Sequence, residues 1–421
     1  MPGPLEGIKV LEFSEIIAGP FAGMLLSDMG ADIIKVEAPW GEPFRHTIPI
    51  VPFESRQYIS LNRGKRSLPL DLTRPEAQEV VYKLVPDMDV VMVNYRPDVP
   101  AKLGIDYETL SNINPRLIYC ENTAFGRQGP HSLRPGSDIV VQAMTGLMTA
   151  GGKIANGVPQ PISATALADY ATGISMAWGV SAALFHRERT GKGQKVEAAL
   201  MATALGVQAF RFVNVQSIDQ KALEQFNEDI TLLQEQAVPY EDLLFYQTFR
   251  ARPPGNIYYR TYQAKDGFLA VGCLSEPVRK RMSEALGLRD AQFEAGYDPQ
   301  SEEAQTLGDE LVEKAEARFK EKTVDEWLKV LDAVGVPVGP VKFTEELLRD
   351  EQVLANGLVT ELEHPLVGKV ETNGPLLKMS ETPLKAKGSS STLGEHTDGI
   401  LESLGYGPDE IRRLRDQKVI Y

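Results

Sequence analysis

The run IKVLEFSEIIAGPFAGMLLSDMGADIIKVE, residues 8–37, decides the fold. Ile8 to Phe13 is a short β-rich stretch, Gly19-Pro20 a turn, Phe21 to Met29 a helical segment that Gly30 stops, and Ala31 to Glu37 a second strand. Strand, helix, strand at this spacing requires a crossover, and the two strands then pair in parallel. The rhythm continues downstream. Thr73 reads as an N-cap with Glu76 as its capping-box partner, and that helix leads to strands at Val90–Val93 and Leu117–Glu121. The first part of the chain therefore reads as a doubly wound α/β sheet.

Ligands of such sheets bind beyond the carboxyl ends of the strands. Three segments lie there: Ser14 to Pro20, Asn94 to Pro97 and Asn122 to Gly126. None carries G-x-G-x-x-G or a P-loop, so neither a dinucleotide nor a nucleoside triphosphate is supported. Across all 421 residues, 43% are hydrophobic and 24% charged, which is ordinary for a globular chain. The formal net charge of −14 excludes nonspecific nucleic-acid and anionic-membrane binding, but not a small anionic ligand that meets a local cation. Cys120 and Cys273 form neither a disulfide framework nor a zinc site and read as buried structural thiols. The residues from Met1 to Leu5 lead us to expect no signal peptide, and no apolar stretch approaches the ~20 residues that cross a bilayer. A cytoplasmic protein without a membrane partner is expected.

Asp169 stands at the head of a long helix-like segment that ends at Thr190, with Ile174, Ala177, Val180, Ser181 and Leu184 at helical spacing and Gly191 beyond it. A carboxylate there either caps the helix or attacks an acyl group, and the spacing leaves both open. The nearby alanines 164, 166, 168 and 171 leave room for a ligand and suit helix packing equally. His46, His131, His186, His364 and His396 show no metal-ligand spacing, and no G-x-S-x-G elbow occurs. The cluster Arg63-Gly64-Lys65-Arg66-Ser67 is either a solvated turn or a phosphate site. Arg250, Arg252 and Arg260 among Tyr246, Tyr258, Tyr259 and Tyr262 either hold a carboxylate or cover a surface. Charge-rich helical sequence fills 276–333, and Val334 to Pro340 reads as a linker returning from a smaller second domain.

Several segments, in order, carry a resemblance. Leu11-Glu12-Phe13, Ala18-Gly19-Pro20, Gly30 to Glu37, NRGKRSLPLD (62–71), Asn114 to Ile118, Asp169 with Gly173, TGKGQKV (190–196) and GEHTD (394–398) resemble the class III CoA-transferases, the group of formyl-CoA transferase and carnitine CoA-transferase. The likeness covers nearly the whole chain. It implies a large Rossmann-like, CoA-binding domain built from residues 1–215 and a C-terminal return over 336–421. A smaller central α+β domain with linkers would span 216–335, and two subunits would form an interlocked-ring homodimer.

The same resemblance implies that Asp169 is the catalytic aspartate. Ile17, Ala18, Leu70, Leu72, Thr73, Asn94, Tyr95, Arg96 and Lys102 fall where the family binds CoA, and Asp138 aligns with an acidic residue near the active site. Acyl-CoA and a carboxylic acid would be the substrates, with no metal and no tightly bound cofactor. CoA would pass from thioester to acid through an aspartyl–acyl anhydride and an aspartyl-CoA thioester. Two departures stand out. Ala38 replaces a basic residue common in the family, leaving Arg45, Lys65 or Arg66 to supply the nucleotide grip. The glycine-rich loop of formyl-CoA transferase is reduced to Pro253-Pro254-Gly255-Asn256. The alternative on the same fold, an α-methylacyl-CoA racemase or other CoA-ester isomerase, uses a Gly-His-Asp motif that here reads Gly136-Ser137-Asp138.

Overall fold

The computed structural model describes residues 1–246, 256–299 and 301–421. They fall into two units, residues 1–215 with 351–421, and residues 216–350. The first is built on strands β1 (Lys9–Phe13), β2 (Asp32–Glu37), β3 (Lys65–Pro69), β4 (Val90–Val93), β5 (Ile118–Thr123) and β6 (Gln194–Ala199). All pair in parallel, in the order β3-β2-β1-β4-β5-β6.

A parallel sheet is stable when both faces are covered, and the strand residues supply both. Leu11, Phe13, Ile34, Val36, Val91 and Val93 enter one core with helix α2 (Pro75–Leu84) and the C-terminal helices Thr397–Ser403 and Pro408–Asp416. Their sequence neighbours Val10, Ile33, Val90 and Met92, with Ile118 and Cys120, enter the other. That second core is closed by helices α1 (Ala18–Asp28) and α4 (Leu167–Thr190); α3 (Asp138–Met144) precedes α4. Gly173 lets α1 and α4 approach closely, since a Cβ there would lie 2.8 Å from the Ala18 carbonyl oxygen. Phe21 meets Tyr170 edge to face at 4.8 Å on the same contact. The depth at which α4 carries Asp169 is set by this packing.

Three sequence expectations change. Helix α1 begins at Ala18, ahead of Phe21, because Pro20 falls in the first turn, where its missing N–H has no intrahelical partner to lose. Thr73 does not cap α2. Asp71 Oδ1 accepts its hydroxyl at 2.6 Å, and the N-cap is Arg74, without a side-chain bond. The expected linker Val334 to Pro340 contains a strand, Val338–Pro340, that pairs antiparallel with Phe268–Gly272. Val336 enters the smaller unit's core, and the chain stays in that unit to Asp350 rather than leaving it at 336.

The smaller unit sets this three-stranded sheet, completed by Tyr259–Gln263, against helices Glu276–Leu286, Glu302–Phe319 and Val324–Ala333. Trp327, Phe319 and Tyr262 form its centre, the last two rings stacked at 4.0 Å. Cys120 and Cys273 are free and buried, one in each unit.

Under the sheet's second strand lies a fully buried arginine. Arg45 pairs with Glu37 and Glu54, each at 2.8 Å, and donates to the Tyr58 hydroxyl at 2.5 Å. Arg45→Met is expected to lower unfolding free energy by about 3–5 kcal/mol, since two buried carboxylates lose their cation. Urea denaturation checks this, and a loss under about 1 kcal/mol would show that the cluster contributes little.

Candidate active site

The strand order reverses between β1 and β4, and the chain segments leaving these two strands diverge around a crevice. A cavity of about 160 Å³ lies there. Its walls are Glu15, Ile16 and Ile17 after β1, Asn94 to Pro97 after β4, Asn122 to Ala124 at the end of β5, and the loop residues Ser132, Arg134, Gly136 and Ser137; Asp169 also faces it.

Side chains from other segments hold the β1–α1 turn. Asn94 clamps Glu15, donating to its carbonyl at 2.7 Å and accepting its N–H at 2.9 Å. Glu42 accepts the Ile16 N–H at 2.7 Å, and Lys35 donates to the Ser14 carbonyl at 2.6 Å. Ile16 consequently sits at φ 70°, a conformation a β-branched residue rarely adopts unless its surroundings enforce it. The restraint aims Ile16 and Ile17 at the cavity.

Asp169 lies in the first turn of α4, and it is not the cap. The N-cap position is Ala166, and the capping oxygen comes from Asp138. Its Oδ1 accepts the Ala168 N–H at 2.7 Å and the Asp169 N–H at 3.4 Å, while Oδ2 takes Gln142 Nε2 at 2.5 Å. The Asp169 carboxyl makes no hydrogen bond among the described residues. Burial, and secondarily the Asp138 charge, push its pKa up to about 7. A half-ionised carboxyl without donors, facing a cavity, is equipped to attack an electrophilic carbon.

Of the residues implied for CoA, Ile17, Asn94, Tyr95 and Arg96 line this cavity. Ala18 opens α1 with its side chain buried. Leu70 and Leu72 point into the hydrophobic core, so a ligand meets only their backbone. Thr73 bonds Asp71, as above. Lys102 and Arg96 share Asp98 at 2.6 and 3.5 Å on an exposed rim. Asp138 acts on Asp169 from beneath. Asn122 begins one of the three segments that the sequence places beyond the strand ends, and it does line the cavity; Arg134 escaped the sequence reading.

The proposed basic substitutes for Ala38 fare differently. Arg45 is enclosed, and Lys65 is buried against Glu12 at 2.9 Å, because a cation survives in the interior only when paired. Arg66, half-exposed, pairs with Asp32 at 2.6 Å. With Arg63 also buried, on Asp28, the 63–67 cluster is neither a solvated turn nor a phosphate site. In the smaller unit Arg260 bonds Glu316, Tyr258 bonds Asp290 and Tyr262 bonds the Ile257 carbonyl, so these groups do not converge on a ligand. Arg250, Arg252, Pro253 to Gly255 and the Tyr246 side chain lie outside the described residues. A larger cavity there, about 590 Å³, is lined by groups already paired, Arg289 with Glu294 and Lys314 with Glu310. Among the described residues no cluster suits a metal ion, and no helix is long and apolar enough to cross a membrane.

The model of CoA-transferase family III matches residues 5–397. The chain is 32% identical to the succinyl-CoA:glutarate CoA-transferase of Mus musculus, over 99% of this chain and 90% of that protein. It is 34% identical to the succinate–glutarate CoA-transferase of Agrobacterium fabrum, over 95% and 96%. A crystal structure of a CAIB/BAIF family protein from Brucella suis superimposes with a TM-score of 0.73 and 31% identity, over 96% of this chain and all of that one.

The Asp169 environment has a direct readout. In carboxyl-¹³C aspartate NMR, the resonance lost in Asp169→Asn is expected to titrate near pH 7. Asp138→Asn keeps the accepting oxygen but removes the like charge, so the same resonance should then titrate at lower pH. An unchanged midpoint in that variant would remove Asp138 as a cause.

Proposed function

The chain belongs to CoA-transferase family III and is a CoA-transferase, and we propose that it works through covalent chemistry on Asp169. The observation that carries this reading is an unpaired carboxyl, raised to about 7, facing the crevice at the strand-order reversal. Ionised Asp169 attacks the thioester carbonyl carbon of an acyl-CoA; the C–S bond breaks, leaving an aspartyl–acyl anhydride and CoA thiolate. The thiolate then attacks the aspartyl carbonyl, frees the donor acid and leaves an aspartyl-CoA thioester. An acceptor carboxylate attacks that carbonyl, the thiolate departs again and finally takes the new acyl group, restoring Asp169. The donor and product thioesters lie near one another in energy, so the cycle needs no ATP. Water is the competitor, and the cavity walls must exclude it. Asp138 occupies the Ala168 and Asp169 N–H groups at the first turn of α4, so in this reading the N–H groups around Ile17 stabilise the oxyanions.

CoA in this reading enters past Asn94, Tyr95 and Arg96, with the backbone at Leu70 and Leu72, Thr73 and Lys102 along its path. The relatives named for glutarate make a short dicarboxylic acid the first acceptor to try. Asp169→Asn and Asp169→Ala are each expected to lower CoA transfer at least about a thousandfold, with folding unchanged by circular dichroism. Full transfer by either variant would rule Asp169 out as the nucleophile.

The assembly belongs to the same proposal. On α4, Ile174, Trp178 and Phe185 form an exposed apolar stripe at helical spacing, and Phe210 and Phe212 are exposed beyond it. Helix Gln216–Glu235 in the other unit buries no side chain. Apolar surface of this extent calls for a partner, and we read it as a second copy in an interlocked-ring homodimer. Light scattering should give twice the 46.4 kDa chain mass. Differently tagged native dimers should exchange no subunits on mixing until denatured and refolded; free exchange would exclude interlocking.

A further inference from the structure

We propose that Asn122 and Arg134 select the acid, holding the second carboxylate of a short dicarboxylic acid while the first faces Asp169. The inference rests on the transfer reading above and names the groups that distinguish its substrates.

Asn122 is the next-to-last residue of β5, only 5% exposed, and it lines the cavity that Asp169 faces. Its carboxamide makes no hydrogen bond among the described residues, and Oδ1 is wholly unpartnered. An interior amide left in that state destabilises the fold, so a buried orphan facing a cavity points to a position that a ligand completes. A leucine of similar size would fill the same space at no such cost.

Arg134 reaches the same cavity from the loop before α3. Its guanidinium bonds Nδ1 of His131 at 3.2 Å, and the His131 ring rests on Phe125 with centroids 6.0 Å apart. No carboxylate pairs with Arg134 among the described residues. The other arginine of the cavity, Arg96, is engaged by Asp98. The cavity therefore offers a fork-shaped cation held by an imidazole nitrogen rather than a carboxylate, together with an amide awaiting a partner. A carboxylate satisfies both: it accepts two N–H groups from the guanidinium and one from Asn122 Nδ2. The carboxamide needs only a rotation about its terminal torsion to present that nitrogen. A monocarboxylic acid of equal length would place a methyl group against the same two side chains and leave both unpaired, the condition under which polar sites discriminate most strongly.

The test compares Asn122→Leu and Arg134→Gln with the wild type, using succinyl-CoA as donor and glutarate or valerate as acceptor, with thermal melts confirming folding. The wild type is expected to prefer glutarate. Each variant should lose kcat/KM for glutarate on the order of 10- to 100-fold, mainly through KM, and keep or improve its rate with valerate. Equal losses with both acids, unchanged glutarate kinetics, or a wild type that favours valerate would each overturn the assignment. Failure of the transfer reading looks different: the wild type would then move CoA to no acid at all, succinate exchange included.

Discussion

The cap that Asp138 places on α4 is the contact on which the site depends. Helix starts expose N–H groups that need an acceptor, and the side chain of the N-cap residue usually supplies it; Ala166 has none to offer. Here the acceptor comes from α3, through a 2.7 Å bond to Ala168. Asp169 is thereby released from structural duty, with its carboxyl turned to the cavity. The same carboxylate that frees it also opposes its ionisation, adding to burial and holding the group near neutrality. A stronger nucleophile and a costly charge are two descriptions of one arrangement.

The opposite wall depends on a layer of buried charge. Lys35, enclosed between Glu12 and Glu42, reaches the Ser14 carbonyl, and Glu42 holds the Ile16 N–H. Lys65 joins from β3 through Glu12. Charges this deep are tolerated only with partners on all sides, and those partners come from three strands and the loop after β2. The result is a turn whose strained isoleucine is built in before any ligand arrives. Gly173 then brings α4 close enough for the turn and Asp169 to border one cavity.

The parallel sheet was legible because its signal is local. Alternating apolar strands and intervening helices appear in any short window, and Val90–Val93 was bounded to the residue. What failed was pairing across long separations. Arg63, Lys65 and Arg66 form a basic cluster in the chain, yet each finds its own acid, Asp28, Glu12 or Asp32, and two of the three are buried. Thr73 looked like a cap because Asp71, two residues earlier, is an equally good partner that a motif does not weigh. Asp169 stood out as a charged residue at a helix start, but spacing alone left its role open; the resemblance pointed to chemistry, and the Asp138 bond explains physically why capping is not its task. Asn122 headed a segment expected at the strand ends, but its being unpartnered is a property only coordinates reveal.

The covalent account is tested most directly by trapping. The protein would be incubated with acyl-CoA and hydroxylamine, digested, and the peptide containing Asp169 examined by mass spectrometry. A hydroxamate at Asp169 that requires acyl-CoA, and is absent without it, is the expected result. An unmodified Asp169 peptide in a preparation that is transferring CoA under the same conditions would contradict the account.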